Sequence, residues 1–426
     1  MTPLRSVTLA QLLLGLFVAG SAAASDTVVI GQDDAAVGRA ASQAAVDAAA
    51  PGDRSELRGN FPLDGTPIFV ETNRLTIAGQ ALDDDGDGAV NEDPTDGVDN
   101  DGDGATDEDD WNAHLKGVDD GAGGPAGDVL PNRFNDGFEL LGLAADLRDV
   151  EFRDLKMSSL NRAIYLFPDY DDGGTVLLCD AATPTSGSLS RLRVRNNSFE
   201  NSVRGVELLG RVDRLSVSEN RFSGMFREAV VIFGVEIGCA EADGSIVQFL
   251  PLGTPDRTAI VSNRVTSSNR MLLSFISDRT SVISNHVSGS TFGIISLEDS
   301  RLFAFGNQVV GAVAGVLGSF LPQSVGPASD NVVLANEMSD GLWGVLVDCD
   351  TTGYTIIDNQ FSGSLISDVL LDGTAPGVLY VGGGAWYVPD FKSDGTIRGL
   401  VQIDMQTAAP QGTVRTATNA GPIVVT

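Results

Sequence analysis

The chain has 426 residues, enough on length alone for two or three domains, and a formal charge of −31 with 58 acidic against 27 basic residues. That balance excludes nucleic acid as a partner, since phosphate binding needs a basic face, and it disfavours polyanions unless a metal ion bridges the like charges. Three cysteines, Cys179, Cys239 and Cys349, are too few for a disulfide framework, and without a C-x-x-C pair they do not read as a metal site.

In chain order, Arg5, the apolar run Leu9 to Val18 and the small residues ending Ala22-Ala23-Ala24 read as a signal peptide over residues 1–24. The run is too short to span a bilayer, and no later stretch is long and apolar enough. The expected location is outside the cytoplasm: secreted, periplasmic or on the surface of a bacterial cell. Residues 25–54 form a capping segment. Asp33 or Asp34 starts an Ala-rich helix running to about Ala50 and stopped by Pro51-Gly52. Val37, Ala41, Ala45 and Ala48 are expected to share its buried face.

An acidic insertion over residues 83–131 follows Gln80-Ala81-Leu82. Counted from Asp99, loop positions one, three, five, nine and twelve are Asp99, Asp101, Asp103, Asp107 and Asp110, with Gly104 sixth and the Ala105 carbonyl available at seven. Calcium takes six to eight hard oxygens, and carboxylates at alternate positions around a glycine turn supply them. The loop resembles the thrombospondin type 3 acidic repeat, and EF-hand and dockerin loops without their final Glu. An upstream copy, Asp83, Asp85, Asp87 and Asn91, has Pro94 at its twelfth position and is the weaker site. Both loops imply Ca2+ as the bound ion.

From there one phrase recurs: two apolar residues at alternate positions, an Asn, and a further apolar residue two places on. It reads Leu192-x-Val194-x-x-Asn197-x-Phe199 and Leu215-x-Val217-x-x-Asn220-x-Phe222, and returns at Asn263, Asn285, Asn307, Asn336 and Asn359. Degenerate copies place Leu155 and Gln80 in the Asn position. Uninterrupted spacing is 22 or 23 residues. About eight residues after each Asn comes a small residue and a second alternating run, as in Gly205-Val206-Glu207-Leu208 and Gly293-Ile294-Ile295.

Period-two alternation means strands with one buried face, and a repeat of short strands buries that face only by stacking on its neighbours. The fold class is therefore all-β: a right-handed parallel β-helix of nine or ten rungs over residues 55–375. The recurrent Asn is expected to form an internal amide ladder, and the Gly to serve a sharp corner. These phrases resemble the pectate-lyase-like superfamily, whose opening segment is also similar to Gln43–Gly59. That superfamily holds lyases, hydrolases, epimerases and non-enzymes. Insertions after Phe167, Phe233, Ser319 and Val347 all follow the second run and should leave one edge of the coil, carrying the three cysteines. Residues 376–426 lose the Asn phrase and read as a C-terminal β cap.

Enzymes of this superfamily work on the outer face of one strand stack. The corresponding outward positions here are Glu139, Tyr165, Glu207, Val231, Leu273, Ile295, Leu317 and Leu346, of which only the first three suit chemistry. Polygalacturonase and alginate-epimerase motifs are absent, and His114 and His286 read as structural. The expectation is a calcium-stabilised scaffold, not an enzyme, binding a polysaccharide or a surface protein. The alternative is a polysaccharide lyase or glycoside hydrolase using Glu139, Tyr165 and Glu207.

Overall fold

A computed structural model describes residues 24–31, 34–63, 65–80, 113–117, 136–140, 146–166, 177–178, 188–240, 246–319, 330–347, 354–371 and five C-terminal strands within 379–425. Residues 1–23 of the expected signal peptide, both acidic loops expected to bind calcium, Cys179 and Cys349 lie outside these residues.

The chain winds as a parallel β-helix with three strands per rung. One rung runs Arg193–Arg195 on a first face, Ser198–Glu200 on a second and Arg204–Leu209 on a third. Strands of successive rungs pair in parallel and in register, Val194 with Val217 on the first face, Phe199 with Phe222 on the second, and Val206 with Val230 on the third. The first and second faces merge into a 27-stranded sheet, and the third is an 11-stranded sheet whose last strand is antiparallel. Inward residues from all three faces form one continuous core from Val29 to Val369, with Phe61, Phe138, Phe152, Phe199 and Phe222 fully buried.

The bend between first and second faces explains the conserved spacing of the phrase. The residue just before each ladder position has positive φ although it is rarely Gly: Asp154, Asn196, Glu219, Ser262, Ser284, Ala335 and Asp358 lie between 49° and 58°. Such a residue carries a strain of about 1 kcal/mol or more. The following Asn offsets it. In six of the seven the Nδ2 donates to the carbonyl two residues back, as from Asn220 to Ser218 and from Asn336 to Leu334. It also donates to the Oδ1 of the next rung's Asn, in an unbroken series through Asn197, Asn220, Asn263, Asn285, Asn307, Asn336 and Asn359 at 2.8–3.0 Å. The backbone N–H of each donates to the same oxygen. The expected ladder is present.

The small residue of the second run has another role than the one expected. Gly205, Gly315 and Gly344 do not need positive φ; a Cβ on them would lie 2.3–2.6 Å from Phe222, Met338 and Phe361 respectively. Close approach of the next rung, through its second-face core residue and its third-face backbone carbonyl, requires the missing side chain, and corner geometry does not.

The N-terminal end is closed by a strand the sequence did not suggest, Asp26–Ile30, and by the helix Ala35–Ala48, capped by Asp34 accepting from the Val37 N–H. Its buried side is Gly38, Ser42, Ala45 and Val46; Val37 is 45% exposed and Ala48 is exposed, so the expected apolar face is rotated. The bulkier Val46 seeks the core, and Ser42 joins it because its hydroxyl donates to the Gly38 carbonyl. Gln43 closes the open edge of the strand Ile68–Val70 as a neighbouring strand would: its Oε1 accepts from Phe69 N–H and its Nε2 donates to Phe69 O.

The acidic insertion splits a rung. The strand Ala113–Gly117 lies within residues 83–131, pairs with Arg54–Leu63 and Lys156–Ser158, and puts Leu115 in the core opposite Met157. Residues 81–112, which carry the acidic loops, fall between Thr76–Gly79 on the first face and Ala113–Gly117 on the second and lie outside the described residues. At the other end, the strands Leu379–Gly382, Ala385–Phe391, Ile397–Asp404 and Pro410–Arg415 extend the first face, the last three antiparallel, and Ile423–Val425 pairs antiparallel with Ser367–Leu371.

Candidate functional site

The third face aligns the expected outward positions in one column: Glu139 beside Tyr165, Tyr165 beside Glu207, then Val231, Leu273, Ile295, Leu317 and Leu346. Third-face strands end at Leu166, Phe233 and Val347 on one edge of the coil. From that edge rise the strands Leu177–Leu178, Val235–Ala240 and Ile246–Gly253, which form a separate three-stranded sheet with Leu177 opposite Cys239.

The three candidates are brought together, but they are not open. Tyr165 is 4% exposed and Glu207 5%, and Val231 and Ile295 further along are buried as well. Each candidate already has a partner. The Tyr165 hydroxyl donates to Glu139 Oε2, and the Arg162 guanidinium lies 3.9 Å over the tyrosine ring. Arg204 NH1 donates to Glu207 Oε1 at 2.7 Å.

Five further residues complete the cluster. Arg162 makes two hydrogen bonds to Asp136, at 3.0 and 2.6 Å. Arg204 Nε donates to Glu228 Oε2 at 2.9 Å, and Arg270 pairs with the other oxygen of Glu228, which is 1% exposed. These residues occupy a second column, Asp136, Arg162, Arg204, Glu228 and Arg270, three places before the expected one. Strict alternation would have turned them inward with Val206 and Leu208. The strand leaves its corner at Gly205, and the Arg204 side chain reaches the outer side. Lining up the repeats position by position would have revealed this charged column; testing each strand for alternation hid it.

Electrostatics follow from burial against pairing. Burial pushes the Glu207 carboxyl above its ordinary range, against the opposing pull of Arg204 and Arg162. Burial and the hydrogen bond to Glu139 raise the Tyr165 phenol. Arg162 is pulled down by burial, but the Asp136 hydrogen bond and charge more than restore it. Glu207 Oε2 is buried and has no hydrogen-bond partner among the described residues. Four carboxylates, three guanidiniums and a phenol thus form a nearly neutralised network, with the Glu207 Oε2 and Arg270 Nε atoms as its buried loose ends among the described residues. The histidines lie elsewhere, on the second face: His114 Nε2 is 2.7 Å from Ser158 Oγ, and His286 Nδ1 is 2.7 Å from Gln308 Oε1. Among the described residues no group of three or more His, Cys, Asp or Glu could hold a metal, and no helix is long and apolar enough to cross a membrane.

No family model matches the chain, and no curated protein matches it. Solved structures of similar shape include DFA-IIIase from Arthrobacter chlorophenolicus without its lid, at 13% identity and a TM-score of 0.46, covering 84% of this chain and 93% of that one. Another is the catalytic unit of a thermostable alpha-1,3-glucanase from Streptomyces thermodiastaticus, at 11% identity and a TM-score of 0.43, covering 85% and 68%. A third is the A-module of a mannuronan C-5 epimerase from Azotobacter vinelandii, at 11% identity and a TM-score of 0.38, covering 81% and 94%.

Proposed function

We propose that this protein is an exported parallel β-helix scaffold that binds carbohydrate without turning it over. The observation that carries this reading is the state of the third-face cluster: Glu139, Tyr165 and Glu207 are each engaged by a neighbouring side chain, and Tyr165 and Glu207 are buried. A general acid or nucleophile has to reach the bond it breaks. What the coil offers to solvent is an extended, rung-repeated surface, which suits a polymer made of repeating units. Incubation with a panel of polysaccharides should show retention with no product; release of reducing ends or unsaturated sugars would overturn the reading.

Calcium belongs to the same proposal. Asp99, Asp101, Asp103, Asp107, Asp110 and the Ala105 carbonyl would bind one ion, and Asp83, Asp85, Asp87 and Asn91 would contribute to a second. Because these loops interrupt the rung between Gly79 and Ala113, the ion would order an insertion anchored at both ends in the coil. Calorimetric titration should show binding with Kd of about 10⁻⁴–10⁻³ M, as in extracellular modules. Absence of heat at millimolar calcium would refute it.

The unpartnered Glu207 oxygen favours a second reading. A buried carboxyl held towards its protonated form is what a glycoside hydrolase needs as its acid. If turnover is found, Glu207→Gln should abolish it.

A further inference from the structure

The chain enters the coil through a contact between Ser25 and Asp53. Ser25 stands directly ahead of the cap strand Asp26–Ile30, and its N–H donates to Asp53 Oδ1 at 2.8 Å. Its carbonyl accepts from the Arg54 N–H at 3.0 Å, so Ser25 is held at both ends of its backbone. Asp53 is buried, and its second oxygen accepts from the Ala50 N–H at 2.8 Å. The Ser25 N–H first, and the Ala50 N–H next, hold the Asp53 carboxyl below its ordinary range, so it is ionised at neutral pH. A buried carboxylate is ordinarily matched by a cation. Among the described residues no Lys, Arg or His pairs with Asp53, and its neighbour Arg54 pairs with Glu56 at 3.0 Å instead. Processing would supply the matching charge. Ala22-Ala23-Ala24 reads as a signal-peptide cleavage site, and a cut after Ala24 makes Ser25 the first residue, its nitrogen a free α-ammonium.

We propose that Asp53 is the receptor for an α-ammonium at Ser25, made when the leader is cut after Ala24, and that this ion pair fastens the strand closing the N-terminal end of the coil. Hydrolysis of the Ala24–Ser25 bond consumes one water. Its oxygen goes to the Ala24 carboxylate on the leader, and both its protons end on the Ser25 nitrogen. One neutral N–H thereby becomes a cationic donor of three. Charge-assisted bonds of this kind measure about 2.7–2.9 Å, so Ser25 need not move from the place it already holds. An α-amino group titrates at about 7.7–8.0 and is mostly charged at pH 7. The pair acts where the fold needs it. Asp26–Ile30 pairs with Arg54–Leu63, puts Val29 in the core and leaves Val28 and Ile30 exposed. Terminal segments are poorly ordered unless tied down, and the pair ties this strand at its start.

This inference rests on the export reading above and concerns the fold, not the ligand. The test uses the full-length precursor with its own leader, exported from a bacterial host, and the mass of the recovered chain. That chain should begin at Ser25. Inserting one Gly between Ala24 and Ser25 moves the charge one residue outward and keeps the Ser25 amide on Asp53; Ala24 is exposed, so an extra residue there is accommodated. Hydrogen exchange of the Asp26–Ile30 segment, read by mass spectrometry, should be about fivefold faster in the Gly-bearing chain. Asp53→Asn should speed exchange by a larger factor in the chain beginning at Ser25 than in the Gly-bearing one, since only the former loses an ion pair. Equal exchange in the two chains would overturn the inference, as would an equal effect of Asp53→Asn on both or an exported chain beginning at another residue. Recovery of the chain inside the cell with its leader intact would overturn the inference and the export reading together.

Discussion

Two buried stacks of polar groups run along this coil, and they are built on opposite principles. The Asn ladder inside the first bend is uniform and neutral. From Asn197 onward each rung repeats the same donors and acceptor, so each buried oxygen from Asn220 to Asn359 accepts from both the N–H and the amide of the rung before. The third-face cluster is heterogeneous and ionised, runs from Asp136 to Arg270, and leaves one Glu207 oxygen without a partner. The first stack propagates, because any rung can add to it. The second terminates, because each charge depends on one particular neighbour, and beyond Arg270 the third face continues with Phe292 and Ala314 in the same places.

The largest expected effect breaks the charged stack. Arg204 bonds both Glu207 and Glu228, so Arg204→Met strands carboxylates in a buried setting and should cost about 4 kcal/mol in chemical denaturation. Part of that loss should return on acidification, since a protonated Glu207 needs no counter-ion. A loss that stays the same at all pH values would mean that packing, not charge, holds the cluster together.

Interrupting the neutral stack comes next. Asn285→Val removes the acceptor of the buried Asn263 N–H together with the bonds its own amide makes to Ile260, Ile283 and Asn307, and should cost about 3 kcal/mol. Here the effect should not depend on pH. A cost well under 1 kcal/mol would show that the ladder follows the coil geometry without stabilising it.

The smallest effect tests a third buried polar group, Asp299, which lies inside the coil and accepts from Ser277 N–H and Oγ. Burial raises its carboxyl to about 6 from an ordinary 3.8. The sign follows from the neutral form being favoured in the folded state. This stability is complete below the unfolded value of 3.8 and is lost as pH rises through about 6. Asp299→Asn should therefore be more stable than wild type at pH 8, with the difference vanishing below pH 4. A variant that is no more stable at pH 8 would mean that Asp299 stays ionised at no cost, the serine hydroxyls solvating it.

The amino-acid sequence alone determined the rung. A period of 22 or 23 residues, an Asn at one bend and alternation on either side leave a stacked coil as the way to bury the apolar positions, and the outward column Glu139, Tyr165, Glu207 followed from the same alternation. These are local or strictly periodic signals. Tertiary structure decided what alternation does not encode. It turned Arg204 and its equivalents outward where the strand leaves its corner, and placed Gly344 against a phenylalanine one rung away. It also rotated the capping helix to bury Val46, and drew Ala113–Gly117 out of an acidic insertion to complete a rung. Each of these depends on which rung lies next to which. That adjacency is a property of the stack, and a repeat read singly does not contain it.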